Sequence, residues 1–475
     1  MNVAEQAVSI TAADVVAATG GRVVAGDSTR RFEGVTIDSR AVTRGQLFIG
    51  VRGDRFDGSE FASASVDAGA TGVVVRADAS AVSELARDRR DPVVITVDDT
   101  TLALQALGRH VRRASGTKVT AITGSAGKTT TKEIAAEFLS TRYSVYRNPG
   151  NLNNHIGLPL SLVELRAKPE MAVVELGMNH PGEIRQLVAL AEPEMRVWTN
   201  VGDAHIGFFD SADAIADAKA EIMDGASDTT VLVANADDGR VMAKARSFEG
   251  RLVTFGLSEA ADVRATDVTL RGVEGTRARV TTPAGERAVD VPLPGEGNLA
   301  NVLAATAVAI TWGVPLDAIA ERAEQLKPAR RRGEVVSLRD GITLVDDSYN
   351  ASPSALKGAL RSLARATRHT RRVAFLGEML ELGAHGVALH EECGRYAADS
   401  GVAMLVTAGG AAAQRMAEAA IAAGLPREVV RYVQTSRDAA ALVCDVLRPG
   451  DLVLVKGSRG SRMDIVADRI REEWA

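Results

Sequence analysis

A lysine, two threonines and two glycines at close spacing supply the first recognisable chemistry. They lie in Gly124-Ser-Ala-Gly-Lys-Thr-Thr130, between an apolar β-type run, Val119–Thr123, and a helical pattern, Lys132–Leu139. A loop so placed turns backbone N–H groups and a helix N-terminus towards one point, an arrangement that holds phosphate. Gly124 and Gly127 let the backbone approach, Ser125 and Ala126 keep it narrow, Lys128 carries charge to the terminal phosphates, and the Thr129 hydroxyl, followed by Thr130, suits Mg²⁺. The usual phosphate loop has four residues between its glycines, and here there are two. A plain glycine turn is the competing reading, but strand, glycines, Lys-Thr and helix follow in the order the mechanism needs.

Further polar clusters follow apolar runs or open helices. Asn148-Pro-Gly-Asn-Leu-Asn-Asn-His155 is rich in amides and precedes an apolar helix, though asparagines in turns would look the same. Glu175 ends the apolar run from Met171, a position open either to a salt bridge or to a hard, oxygen-seeking cation. His205 follows another such run. Lys219 lies in an ordinary amphipathic helical pattern and on residues alone reads as a solvated lysine. Asn298 and Asn301 share one helical face behind Gly295 and Gly297, where an N-cap and a purine contact are both open readings. Near the C-terminus, Asp346-Asp-Ser-Tyr-Asn350, Gly377–Gly383, His390 and Lys456–Arg462 are candidate substrate contacts, each equally consistent with a turn plus a helix cap.

The elements that must position these groups alternate strand and helix. The expected fold is α/β in three domains: a small α/β domain over 1–114, a central phosphate-loop domain with a doubly wound, mostly parallel sheet over 115–328, and a Rossmann-like domain over 329–475. Residues 261–293 alternate Val, Arg and Thr with turn residues and predict an antiparallel excursion. Length fits about three domains on the usual prior. A net charge of −5 and 4% aromatic residues give neither the basic field nor the stacking platforms of a nucleic-acid binder. Cys393 and Cys444 have no metal or redox spacing. With no signal-like N-terminus and no bilayer-length apolar run, the expectation is a cytoplasmic enzyme without membrane insertion.

Together the motifs resemble the Mur ligase family of ATP-dependent amide-bond-forming enzymes, over nearly the whole chain. The resemblance rests on the short loop G-x-x-G-K-[ST]-[ST], the Asn-rich segment, the strand-end Glu, the strand-end His, the helix Lys and the Gly-x-x-Asn helix start, in that order. Gly-Ser-Ala-Gly-Lys-Thr-Thr-Thr-Lys-Glu, Asp-Asp-Ser-Tyr-Asn-Ala-Ser-Pro and Leu-Gly-Glu-Met-Leu-Glu-Leu-Gly are similar to the branch that adds D-alanyl-D-alanine to UDP-N-acetylmuramoyl-tripeptide. The Asp-Asn-Pro-Arg of the branch adding the third residue does not occur. The resemblance implies ATP and Mg²⁺, with metal held by Thr129, Glu175, His205 and a Lys219 carbamylated by CO₂. Lys128, Lys219, His205 and Glu175 would be catalytic. It implies ATP contacts through Gly124–Thr130, Asn298, Asn301, Arg332, Asp346 and Tyr349, and uridine-nucleotide contacts through Ser39 and Arg40. It further implies an acyl-phosphate intermediate in making the UDP-linked pentapeptide precursor of peptidoglycan, and a monomer is expected. Gly297 stands where the family often has His. A nucleotide-switch protein is the reading from another class, but Asn235-Ala-Asp-Asp238 lacks the lysine of a guanine-reading motif.

Overall fold

Alternation of apolar residues on short strands explains the sheets. In the computed structural model, which describes residues 7–475 apart from 54–55, 89–90 and 205, Val73 and Val75 point to one face of a strand and Val74 to the other. Both faces are buried, as expected of parallel sheets. The chain carries three sheets and divides into two units, one of Met1–Ala121, Tyr143–Met178 and Gly182–Glu194, the other of Ile122–Arg142, Asn179–Pro181 and Met195–Ala475.

The first unit holds a five-stranded sheet ordered Arg22–Ala25, Val93–Val97, Gly72–Arg76, Leu47–Ile49, Val35–Thr36. Only Arg22–Ala25 runs antiparallel to its neighbour. Helices Ala12–Thr19 and Thr100–Ser115 cover the face bearing Leu47, Ile49, Val74 and Ile95, while Phe48, Val73, Val75 and Val94 pack on Ala62, Val66 and Leu85. Thr11 begins the first helix with a capping box, accepting from Asp14 N while the Asp14 carboxylate accepts from Thr11 N. In the same unit Val145–Arg147 pairs parallel with Met171–Glu175.

In the second unit Met195–Trp198, Val231–Asn235, Arg251–Gly256 and Val263–Leu270 lie side by side and parallel. Thr276–Thr282 and Gly285–Val291 extend them antiparallel, the excursion expected from residues 261–293. A six-stranded sheet follows, ordered Glu334–Ser337, Thr343–Asp347, Leu452–Lys456, Arg372–Gly377, Met404–Ala408, Val430–Val433, parallel except at Glu334–Ser337. Its two faces bury separate cores, Ala374, Leu376 and Leu454 on one side, Val373, Phe375 and Val455 on the other. Short edge strands such as Arg22–Ala25 and Glu334–Ser337 had no clear pattern in the sequence, because three or four half-exposed residues carry too little periodicity. Among the described residues no helix is long and apolar enough to cross a membrane.

Candidate functional site

The strand Lys118–Thr123 runs into the loop at Gly124, and the helix Lys128–Leu139 starts after Gly127. Both glycines are required by close approach as well as by positive φ. At Gly124 (φ 149°) a Cβ would overlap the Thr199 hydroxyl, and at Gly127 (φ 82°) it would overlap Asn301 Oδ1. The first helical bond is Thr131 N to Gly127 O, 2.8 Å. Donors at the opening turn have no partner within the helix and are the groups that can face an anion. Lys128 Nζ donates to Gly124 O at 2.9 Å and folds back over the loop.

Two of the loop's backbone donors have partners within the protein. Ser125 N donates to Asn200 O at 3.0 Å, and Ala126 N donates to Asn200 Oδ1 at 2.8 Å. Asn200 Nδ2 returns a bond to Ala126 O at 3.1 Å, so one amide side chain pairs with residue 126 as a neighbouring strand would. The Ser125 hydroxyl accepts from Gly202 N at 2.9 Å. The N–H groups of Ser125 and Ala126 therefore hold the loop against the segment after the strand Met195–Trp198. Sequence reading missed Asn200. It lies in the segment that drew attention through His205, and an Asn following a strand gives no local sign of which loop it reaches. His205 itself lies outside the described residues.

Asn301, 8% exposed, accepts from the Thr131 hydroxyl at 3.2 Å and donates to Asn298 Oδ1 at 3.3 Å. Asn298 Nδ2 donates to Pro294 O at 2.9 Å. The pair thus ties its own helix start to the phosphate loop. Gly297 is exposed with open space where a Cβ would stand, so nothing replaces the imidazole common there in the family it resembles.

Lys219 is not the solvated lysine its helix pattern suggests. It is 1% exposed, in the last turn of the helix Ala212–Ala220. Burial, and after it the Lys128 charge, holds its ammonium well below the usual lysine range. Arg196, buried on the strand Met195–Trp198, donates to Ile222 O at 2.6 Å and Asp224 O at 2.8 Å, fixing the turn beyond Lys219. Desolvation brings the Arg196 guanidinium down to about 10.

In the first unit, Glu175 is 3% exposed at the end of its strand. Its carboxylate accepts from Asn153 Nδ2 at 2.8 Å, and its backbone N donates to Asn148 Oδ1 at 3.1 Å. The Asn-rich segment and the strand-end acid, separate in sequence, are one hydrogen-bonded cluster. In the loop after Val35–Thr36, Asp38 accepts from Arg40 N, Nε and Nη2. These bonds hold the Asp38 carboxyl at about 2, and the Arg40 side chain, like Ser39, remains on the surface.

At the carboxyl ends of the six-stranded sheet, Arg332 and Tyr349 meet as a stack, guanidinium carbon 4.1 Å from the ring centroid. Asp346 does not join them. It is wholly buried, with its oxygens taken by Ser348 (2.6 Å) and Arg471 (3.0 Å). Those bonds hold the loop after the strand, and Asp347, paired with Lys456 Nζ at 2.6 Å, is the more exposed of the two acids. His390 is also a core residue, accepting from Met379 N at 2.9 Å through Nε2, with Nδ1 2.6 Å from Gly386 O.

Three family models match: the Mur ligase family catalytic domain over residues 31–113, the Mur ligase middle domain over 122–309, and the Mur ligase glutamate ligase domain over 331–459. The chain is 34% identical over 378 residues to the UDP-N-acetylmuramoyl-tripeptide–D-alanyl-D-alanine ligase of Bacillus subtilis (strain 168), covering 79% of this chain and 81% of that one. A crystal structure of MurF from Acinetobacter baumannii is similar with a TM-score of 0.87 at 30% identity, covering 98% of this chain and all of that one. The MurF ligase of Thermotoga maritima in complex with ADP is similar with a TM-score of 0.80 at 27% identity, covering 93% and 97%.

Proposed function

The chain belongs to the Mur ligase family, and from that premise we propose that it uses ATP to join D-alanyl-D-alanine to UDP-N-acetylmuramoyl-tripeptide. The observation that carries this reading is the match to the Bacillus subtilis ligase of that name over 81% of its length. The phosphate loop supports the ATP half of it.

The tripeptide's terminal carboxylate attacks the γ-phosphorus of ATP, ADP leaves, and an acyl phosphate remains. The amine of D-alanyl-D-alanine attacks the acyl carbon and loses a proton, and phosphate leaves. Lys128 and the opening turn of the helix at Gly127–Thr130 orient the terminal phosphates and offset the charge that spreads over them. Ser125 and Ala126 shape the loop through Asn200. Arg332 and Tyr349, with Asn298 and Asn301, are assigned to adenosine, and Ser39 and Arg40 to the uridine nucleotide. We assign the uridine substrate to residues 1–114, ATP to 115–328 and the amine to 329–475, in a cytoplasmic enzyme.

Mg²⁺ is assigned to Thr129, Glu175, His205 and Lys219 on the family pattern, and hydroxyl and carboxylate oxygens are the hard donors that cation prefers. When bound, Mg²⁺ would supply charge neutralisation to the phosphates. Burial lowers the Lys219 ammonium well below the usual lysine range and so favours the neutral amine, the form that reacts with CO₂, and its carbamate would add a further oxygen donor.

The test is phosphate release from ATP with UDP-N-acetylmuramoyl-tripeptide, with and without D-alanyl-D-alanine, and the product mass. Release that requires both substrates and yields the pentapeptide is expected. Release supported equally by single amino acids refutes the assignment and moves the chain to a sister ligase.

A further inference from the structure

Around Tyr349 the charges do not balance. Several acids near it already have cations: Asp347 has Lys456, Asp346 has Arg471, and on the last helix Asp464 has Arg331 and Arg462 and Asp468 has Arg331, while the Glu378 carboxylate accepts from Gly410 N. Two guanidinium groups are left over. Arg332 stacks on Tyr349 at 4.1 Å, a full cation–π contact. Arg459 lies 5.8 Å from the same ring centroid, at the outer limit of such a contact, and has no carboxylate partner among the described residues. Its side chain is exposed, and all five of its N–H donors are available to a ligand.

The backbone beneath Arg459 is fixed. The Ser458 hydroxyl accepts from Leu380 N at 2.9 Å and donates to Ala351 O at 3.3 Å, and the Ser461 hydroxyl donates to Ser458 O at 2.7 Å. Three strand-end loops are thereby joined at one point. The loop through Tyr349 continues to Ser354, whose hydroxyl lies beside Gly202 and, through it, beside Ser125 of the phosphate loop. An acceptor held by Arg459 is thus tied to the segment that reaches the phosphate site.

We propose that Arg459 recognises the terminal carboxylate of the amine acceptor. This rests on the function proposed above. A dipeptide carries one anionic group, and the amine that attacks must be uncharged. A site that selects the dipeptide without protonating that amine needs a cation set away from it, aimed at the carboxylate. Guanidinium matches that group with two parallel N–H bonds. An extended dipeptide spans about 7 Å, enough to separate the two ends. The phosphate-binding groups of Lys128 and the helix start belong to a different loop, so Arg459 is not needed there.

The experiment compares D-alanyl-D-alanine with its C-terminal amide as acceptors, for the wild-type full chain, Arg459→Gln and Arg459→Lys, at saturating ATP and tripeptide. Wild type should prefer the acid by about 10- to 100-fold in kcat/KM, the range for losing a hydrogen bond to a charged group. In Arg459→Gln the preference should collapse towards one, with the loss in the KM for the acid and the KM for ATP moved less than about twofold. Arg459→Lys should restore part of it. Equal losses for acid and amide, or a loss that appears in the KM for ATP, overturn the assignment. Unchanged melting temperature and ATP-analogue binding separate this from misfolding. Wild type that turns over D-alanyl-D-alanine while Arg459→Gln keeps the preference overturns the role of Arg459 alone. Wild type without any acceptor-dependent turnover overturns the function and this assignment together.

Discussion

Replacing Asn200 by Asp is the sharpest probe of the phosphate loop, because it alters one atom and leaves shape intact. Asn200 Oδ1 accepts from Ala126 N at 2.8 Å, and its Nδ2 donates to Ala126 O at 3.1 Å. In Asn200→Asp the first bond survives. The second becomes two oxygens facing each other with no proton between them. Losing that bond and setting lone pairs opposed costs roughly 1–3 kcal/mol. The added negative charge also opposes a polyphosphate bound to the same loop, about 2 kcal/mol at ~7 Å and an effective dielectric of ~20. ATP should bind roughly 100- to 4,000-fold more weakly, since each 1.4 kcal/mol is tenfold. Asn200→Ala loses both side-chain bonds but adds no charge, so its loss should be smaller, about 10-fold. Isothermal titration with a non-hydrolysable ATP analogue measures both. Protonating the new carboxylate restores a donor, so the Asp variant should recover affinity relative to wild type as pH falls towards about 4. Binding by Asn200→Asp equal to wild type at neutral pH would refute the claim that this amide sets the loop.

Gly127→Ala should weaken ATP binding at least about tenfold, since left-handed backbone costs a side chain ~1–2 kcal/mol and the new Cβ would overlap Asn301 Oδ1. Adding Asn301→Ala should recover part of that loss, and no recovery would show the clash to be irrelevant. Lys219 has its ammonium depressed by burial and then by Lys128, so between that lowered value and about 10.4 the unfolded chain binds more protons and wild-type stability rises with pH. Lys219→Met in CO₂-free buffer should therefore be more stable than wild type at neutral pH, with the gap closing towards about pH 10 and turnover abolished; thermal melts against pH read it. His390 is depressed mainly by desolvation, so stability should fall as pH drops below about 6.5. His390→Gln should flatten that part of the denaturation profile, and an unchanged slope would assign the acid sensitivity elsewhere.

By itself the sequence determined what is local. Glycines, Lys128 and Thr129 between an apolar strand and a helix are contiguous, so their arrangement follows from backbone geometry and is legible without a fold. The strand–helix alternation and the antiparallel segment over 261–293 are legible because periodicity sums over many residues. Tertiary structure decided what depends on partners far along the chain. Ser125 and Ala126 spend their N–H groups on Asn200, more than seventy residues away, and no local pattern reports where an amide points. Lys219 and a solvated lysine have the same helical signature; only packing removes water from one of them and pulls its ammonium well below the usual lysine range. Asp346 and Asp347 are adjacent and chemically identical, yet strand pleating turns one carboxylate to Arg471 and buries it fully, and turns the other to the buried Lys456 while leaving it partly exposed. Arg459 stands out for a similar reason: whether a charge has a partner depends on which distant acids are already taken, and that is settled when the strand ends are brought together.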